Sequence, residues 1–584
     1  MINITINGKK VQVEEGITLL EAAKQAGFNI PTLCYNDDLE ATGGCGLCVT
    51  KVKMGPGYRT MRACTTKVAE GMEAITQDAE LMRTRKTVLE LILSNHPQDC
   101  LSCERNHNCE LQQLASDFGI REIPFANIVN EIPQTLDCSS KSIKIDTTKC
   151  IQCGRCVQVC QKVQKINALA SISRGISTEM KAGGEVELAD SPCINCGQCA
   201  AHCPVGAIVE KEAIDYVWDA LLDSRKYCIV QCAPAVRVGI GEEFGLPVGT
   251  NSTGKMLSAL RALGFKGIFD TNFGADLTIM EEGSELVDRV TNNGVLPLLT
   301  SCCPAWVNYV EKFAQDMIPH LSSAKSPHQM VGPVAKTYYA QKMGIDPKDI
   351  VVVSVMPCTA KKQEIDRDSN MSSSGHQDVD YVLTTRELGK MIKQAGIEFA
   401  KLEDGKGDDM MADYTGAATI FGATGGVMEA ALRTGAYLIT KKDLEKVEFY
   451  DVRGLKGVKE ATVKIGELEL KAAVVNGIGN VPPVIEMIRE AKANGKPLPY
   501  HFVEVMACPG GCVTGGGQPY GGNDKVRVAR AKGLYDEDSA LQKRCSHHNE
   551  SIQKLYKDFL GEPLHGKSHE LLHTTYQKRN KYNK

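Results

Sequence analysis

Hydrophobic and polar residues alternate from the start of the chain. Ile2, Ile4 and Ile6 share one face, Asn7-Gly8 is a two-residue turn signal, and Val11 and Val13 resume the alternation, which predicts a β-hairpin. The period then lengthens. Thr18 suits the N-cap of a helix running through Leu19, Leu20, Ala22 and Ala23, and Gly27 suits its stop. A second helical stretch, Val88-Leu89-Glu90-Leu91-Ile92-Leu93, leads to His96-Pro97. From about residue 220 onward apolar runs alternate with amphipathic segments, the pattern of an α/β domain. Three of those runs end in cysteine. Val295 to Leu299 leads to Ser301-Cys302-Cys303-Pro304, Ile350 to Val355 leads to Met356-Pro357-Cys358, and Phe502 to Val505 leads to Met506-Ala507-Cys508-Pro509-Gly510-Gly511-Cys512. Reactive groups gather at the carboxyl ends of strands in open α/β sheets, so the three endings are expected to meet in one crevice. Gly510 and Gly511 permit a turn and a close approach of backbone to a cofactor.

A chain of 584 residues is too long for one core and is expected to form roughly three to five units. With 43% apolar and 24% charged residues its composition is that of an ordinary soluble protein. It has no apolar run of about 18 residues that could span a bilayer. The first residues carry no basic, apolar and small-residue leader pattern, so a cytoplasmic location is expected. A net charge of −4 with no basic stripe gives no electrostatic reason to expect nucleic acid as a partner. Cysteine changes the picture. Of the 24 cysteines, fifteen lie between Cys34 and Cys203, not counting Cys138, and most of the others fall in the three downstream endings. In a reducing compartment this density favours metal over disulfides.

The N-terminal cysteines read as an electron wire. Cys34, Cys45, Cys48 and Cys64 are separated by ten, two and fifteen residues, and four thiolates suit a 2Fe-2S cluster. With the hairpin and helix before them they fit a β-grasp 2Fe-2S ferredoxin-like domain over residues 1–78. The first gap departs from plant ferredoxins and resembles the N-terminal segment of the large iron-sulfur subunit of respiratory NADH dehydrogenase. Zinc also takes four thiolates and remains an alternative here. His96, Cys100, Cys103 and Cys109 make a one-histidine, three-cysteine 4Fe-4S module over 79–124, with His107 as the competing histidine; a neutral imidazole in place of a thiolate should raise the potential of that cluster. The strongest local signal is duplicated, Cys150-x2-Cys153-x2-Cys156-x3-Cys160 and Cys193-x2-Cys196-x2-Cys199-x3-Cys203-Pro204. It is the bacterial two-cluster ferredoxin pattern, in which the fourth cysteine of each run serves the other cluster. Cys150, Cys153, Cys156 and Cys203 are therefore expected around one 4Fe-4S cube, and Cys193, Cys196, Cys199 and Cys160 around the other, within residues 138–212. Such a wire moves single electrons but names no reaction.

The reaction comes from residues 213–584. Thr300-Ser301-Cys302-Cys303-Pro304, Met356-Pro357-Cys358-Thr359-Ala360-Lys361-Lys362 and Glu504-Val505-Met506-Ala507-Cys508-Pro509-Gly510-Gly511-Cys512 resemble the three signatures of FeFe (iron-only) hydrogenases. The resemblance spans essentially the whole chain and implies reversible H2 oxidation at an H-cluster, a 4Fe-4S cube joined to a two-iron unit bearing CO, CN and a dithiolate. It implies that Cys303, Cys358, Cys508 and Cys512 hold the cube, with Cys512 shared between its two parts, and that Lys361 donates to a cyanide. Met356, Met506 and Pro234 would line the two-iron unit and Phe421 would shield it. Cys302, which could otherwise be a small buried hydrophobe, would be the last proton donor and acceptor. Glu282, Ser322 and Glu285 would continue the proton route, with Arg289 near its outer end. Glu282 and Glu285 are three apart and so share a helix face, which by itself would ordinarily be a solvated one.

No Gly-x-Gly-x-x-Gly follows a strand, so NAD or flavin would belong to another subunit. The segments Gly241-Glu242-Glu243-Phe244-Gly245 and Ala275-Asp276-Leu277-Thr278-Ile279-Met280-Glu281-Glu282-Gly283 are similar to catalytic subunits of NAD(P)-linked, including electron-bifurcating, hydrogenases. The partners implied are H2, protons, ferredoxin and flavin- or NAD(P)-binding subunits. A stand-alone ferredoxin hydrogenase, an electron-transfer subunit, and a hydrogen sensor or scaffold are the other readings. His328 stands where some relatives have glutamine, and the tail carries only Cys545 where some have a further cluster. Cys138, Cys228 and Cys545 have no assigned role, and Cys232 is a candidate for tuning the pocket.

Overall fold

Ile2–Ile6 pairs antiparallel with Lys9–Val13, and Asn7 and Gly8 take φ of 50° and 79°, the left-handed values that a two-residue turn between twisted strands requires. Ile2, Ile4, Ile6 and Val13 point into one core with Leu19, Ala22 and Ala23. Thr18 closes a capping box on the helix Leu19–Gln25: its amide donates to Glu21 Oε2 at 2.7 Å, and the Glu21 amide donates back to Thr18 Oγ1 at 3.2 Å. Glu73–Ile75, Val49–Met54 and Gly57–Arg62 complete a five-stranded sheet beside this helix, the β-grasp arrangement. The structure, a computed structural model, describes residues 1–127, 134–367, 369–466 and 468–583.

The helix predicted around Val88 to Leu93 runs over Ala79–Ser94, because Asp78 accepts from the Leu81 amide at 2.8 Å and caps it earlier. Its buried Arg85 donates to the carbonyls of Leu47, Val49 and Thr76. This ties the helix to the loop that carries Cys45 and Cys48. In the duplicated cysteine region, Ile143–Asp146 pairs antiparallel with Ile208–Glu210. Each cysteine run turns through a left-handed glycine, Gly154 at φ 75° and Gly197 at φ 69°, into the short helices Arg155–Gln158 and Gln198–His202.

Beyond residue 220 lie two four-stranded sheets rather than one. Gly267–Asp270, Tyr227–Cys232, Ile350–Met356 and Tyr381–Thr384 are parallel in that order. In the second sheet Leu298–Leu299, Phe502–Met506 and Leu468–Asn476 are parallel, with Val458–Ile465 antiparallel at the edge. The run from Val295 yields only the two-residue strand Leu298–Leu299, since Pro297 has no amide to give the ladder. Of the three cysteine endings, one therefore leaves the first sheet and two leave the second. They meet between the sheets, not along the rim of one.

The ferredoxin-like region packs tightly on this core. Thr359 Oγ1 donates to the Asn195 carbonyl at 2.9 Å, Gln198 Nε2 to the Thr514 carbonyl at 3.0 Å, and Arg386 pairs with Glu210 through two bonds of 2.9 and 2.6 Å. A Cβ on Gly197 would lie 2.2 Å from Thr359 Oγ1, and one on Gly516 would lie 2.5 Å from the Cys196 carbonyl. Glycine at both positions lets the two backbones approach to contact distance. Among the described residues, no helix is long and apolar enough to cross a membrane.

Candidate functional site

Between the two sheets is a mostly apolar cavity of about 70 Å³. Cys302, Cys303, Cys358 and Cys512 line it, as do Pro234, Met356, Met506, Phe421 and Lys361. Each of the three cysteine endings thus contributes. Cys508 stands just behind, its thiol facing Cys358, Cys196, Cys303 and Cys512. Burial raises all of these thiols, that of Cys358 to about 11, and neighbouring sulfurs add to the effect at Cys358, Cys508 and Cys512. Thiolates crowded in so dry a place demand compensating positive charge. A thiolate-bound iron cluster supplies it, so the donor set fits the cluster that the sequence implies.

Lys361 brings a cation to the same wall. Its Nζ donates to Glu364 Oε2 at 2.9 Å, Ser326 Oγ at 3.0 Å and the Cys302 carbonyl at 3.4 Å. Burial works against its charge, but Glu364 and Cys358 outweigh burial and hold its pKa above the ordinary lysine value. Glu364 also accepts from His328 Nε2 at 2.7 Å. His328 lines the cavity with its Nδ1 buried and unpartnered, and burial lowers its pKa to about 4, so the imidazole is neutral.

On the other side of Cys302 a polar track leads outward. The helix Thr271–Thr291 presents Glu282 and Glu285 on one face, both buried. Neither oxygen of Glu282 has a hydrogen-bond partner of ordinary geometry. Burial, then the charge of Glu285, lift its pKa to about 8, with Ser322 pulling the other way and Glu504 adding to the rise. Cys302 is raised well above its usual value by burial, then by Glu282. Both groups hold their protons at neutral pH. Ser322 Oγ donates to Glu285 Oε2 at 2.8 Å, and Arg289 Nη2 donates to Glu285 Oε1 at 2.6 Å. Arg289 also binds the carbonyls of Val295, Pro319, His320 and Leu321, so it anchors the outer end of the track.

The predicted wire residues gather as well. One apolar cavity of about 20 Å³ is walled by Cys150, Cys153, Cys156 and Cys203, and a second of the same size by Cys160, Cys193, Cys196 and Cys199. The fourth cysteine of each run faces the other run's cavity. In the N-terminal domain the Cys45 amide lies 3.5 Å from Cys34 Sγ, and Cys48 Sγ lies 3.3 Å from Cys64 Sγ. His96 is buried with an unpartnered Nδ1, and burial lowers its pKa to about 4; His107 is exposed. Cys103 adds to the rise of the Cys109 thiol that burial begins, while Cys100 is exposed on the short helix Cys100–Ser102.

Residues 226–516 match the family of the iron-only hydrogenase large subunit, C-terminal domain, and 524–579 match the iron hydrogenase small subunit. The chain is 48% identical over 593 residues to "NADP-reducing hydrogenase subunit HndD" of Solidesulfovibrio fructosivorans, covering 99% of each. This chain belongs to the iron-only hydrogenases. It is also 43% identical over 589 residues to "Iron hydrogenase 1" of Clostridium pasteurianum, covering 99% of this chain and 100% of that one. Among solved structures, the apo FeFe hydrogenase HydA1 from Chlamydomonas reinhardtii aligns with a TM-score of 0.56 at 42% identity, over 63% of this chain and 99% of that chain. The front of the hydrogenase matches a 2Fe-2S cluster-binding domain at 1–79, the NADH-ubiquinone oxidoreductase-G iron-sulfur binding region at 85–124 and a 4Fe-4S dicluster domain at 142–204. The enzyme is thus an oxidoreductase acting on H2, with an H-cluster, one 2Fe-2S cluster and three accessory 4Fe-4S clusters.

Several site residues were not legible beforehand. Glu364 neutralises Lys361 three residues away, but an i, i+3 pair is normally a surface feature. Tyr576, far along the tail, donates to the Ser322 carbonyl at 2.8 Å. Glu504 accepts from the amides of Gly425 and Met428, both at 2.7 Å, and so fixes the loop that carries Phe421. Cys232 does not line the cavity; it is fully buried in the apolar core, and Cys228 donates to the Ala220 carbonyl at 3.2 Å.

Proposed function

We propose that this hydrogenase interconverts H2 with protons and electrons in the cavity between its sheets, and that protons and electrons leave by opposite walls. Cys303, Cys358, Cys508 and Cys512 would hold the cube, with Cys512 shared with the two-iron unit. When bound, the H-cluster supplies the heterolytic cleavage of H2 and its reversal. Lys361, kept cationic by Glu364, would orient an anionic ligand, while Pro234, Met356, Met506 and Phe421 exclude water around it. Cys302 would pass the proton to and from Glu282, and Ser322 would carry it on to Glu285, which Arg289 positions at the outer end. The observation that carries this reading is the placement of Cys302 on the cavity wall with the buried, unpartnered carboxyl of Glu282 next to it.

Electrons would leave on the side of Cys508, whose thiol faces Cys196 of the nearer ferredoxin-like cube. From there they would pass to the cube of Cys150, Cys153, Cys156 and Cys203. The His96, Cys100, Cys103, Cys109 cluster and the Cys34, Cys45, Cys48, Cys64 cluster lie toward the N-terminal end. Likeness to an NADP-reducing hydrogenase subunit over 99% of both chains, with no dinucleotide fingerprint in this one, supports a cytoplasmic NAD(P)-linked complex. In it, flavin-bearing partner subunits and ferredoxin exchange the electrons. Full-length likeness to a protein named only as an iron hydrogenase favours a stand-alone ferredoxin-linked enzyme as the second reading.

Cys302→Ser is expected to retain the iron content of the wild type and to lose about 10²–10⁴-fold in turnover, the range for a positioned proton-transfer group; wild-type rates in that variant would refute the route. Glu282 faces Glu285, Glu504, Cys302 and Tyr576 and donates only while protonated. The pH profile of H2 evolution should therefore bend downward as pH rises through about 8. Glu282→Gln should remove that inflection along with most of the activity, and an unchanged inflection would count against Glu282. Anaerobic isolation of the native protein tests the complex: flavin is expected to co-elute in fixed ratio, and a flavin-free chain at full NAD(P)-independent activity would favour the stand-alone enzyme.

A further inference from the structure

Outside the residues that line the cysteine cavities, Cys545, His547 and His548 bring one sulfur and two imidazoles within 4.8 Å of one another. They lie in the turn between the helices Asp524–Ala540 and Glu550–Leu555. A fourth donor comes from elsewhere in the chain. Asp443, in the loop after the helix Gly426–Thr440, has Oδ1 at 2.8 Å from His547 Nε2 and 3.1 Å from His548 Nε2. Two imidazole nitrogens thus converge on one carboxylate oxygen.

The surroundings orient these groups toward a common point. His547 Nδ1 is engaged by Thr434 Oγ1 at 3.2 Å, which leaves Nε2 as its outward nitrogen. Its ring lies flat on Tyr437 with centroids 4.1 Å apart and planes 5° from parallel. An orienting hydrogen bond at the far nitrogen and a fixed ring plane are what a ligating histidine needs. Cys545 and His547 are each 5% exposed, whereas the His548 side chain is 40% and that of Asp443 55% exposed, so the set opens to solvent on one side. The neighbouring guanidiniums add no net repulsion. Arg433 is bound by Glu429 and Asp538, and Arg544 by Glu448 and Asp538.

We infer that Cys545, His547, His548 and Asp443 form a structural zinc(II) site that pins the C-terminal segment to the catalytic domain. One thiolate, two imidazoles and a carboxylate are a borderline donor set suited to a tetrahedral, redox-inert cation. Ligands of tetrahedral zinc lie ~3.3–3.8 Å apart; Cys545, His547 and His548 already lie within 4.8 Å of one another, and Asp443, bonded to both imidazoles, would rotate in to complete the shell. Asp443 belongs to the stretch 226–516 that matches the large-subunit domain, and the other three belong to 524–579, the small-subunit-like segment. The ion would therefore cross-link that segment to the body of the enzyme. Zinc bound only by the folded chain stabilises it by mass action. The site is independent of the proposed proton route.

The test uses the full chain with its iron-sulfur clusters loaded, dialysed without air against zinc chloride and then against zinc-free buffer. About one zinc per chain should remain, and X-ray absorption at the zinc edge should show one sulfur at ~2.3 Å and three nitrogen or oxygen neighbours at ~2.0–2.2 Å. His548→Ala and Asp443→Ala, both at solvent-facing side chains, should each weaken zinc binding at least about tenfold, with iron content and H2 turnover unchanged. No retained zinc, a sulfur-only shell from zinc in a cysteine cluster site, or full zinc affinity in His548→Ala would each overturn the inference.

Discussion

Buried thiols from two different sheets meet in this fold, and that convergence governs the rest. A thiolate is costly to hold in a dry interior unless positive charge stands next to it. Cys358 and Cys508 are buried, Cys303 and Cys512 are half-buried where they line the cavity, and the four stand close to one another. A thiolate-bound iron cluster among them would supply that charge.

Around that centre the proposed routes for protons and for electrons run to different walls. On the side of the proposed proton route, burial and nearby acidic groups raise the pKa of Cys302 and of Glu282, and Arg289 donates to Glu285. On the electron side, Cys508 faces Cys196, and two glycines, Gly197 and Gly516, allow backbone contact where side chains would intrude. Lys361 is the cation in the lining, and Glu364, also bound by His328, and Cys358 hold its charge against burial.

Much of this was legible in the residue order. The hairpin at Ile2–Val13, the capping box at Thr18 and the crossed cysteine runs follow from local rules of period, turn chemistry and spacing, and the structure has each of them. The family signatures pointed to nine of the residues that line the cavity. What escaped depended on distance in the chain. That the three cysteine endings leave two sheets cannot be seen from runs of similar composition, and Pro297 shortened one strand by withholding an amide. Glu504 beneath the Phe421 loop, Tyr576 on Ser322 and Asp443 beside His547 are joined only by tertiary folding. Pattern within a short window carries no trace of such pairs.

The central claim is that the sulfurs of residues 303, 358, 508 and 512 share one iron centre. Infrared spectroscopy of the matured protein, kept free of air, tests it most directly when wild type is compared with Cys512→Ala. The wild type should show the sharp bands of iron-bound CO and CN, and the variant should lack them while the accessory clusters keep their paramagnetic signals. Undiminished CO and CN bands in Cys512→Ala, or none in the wild type, would contradict the account.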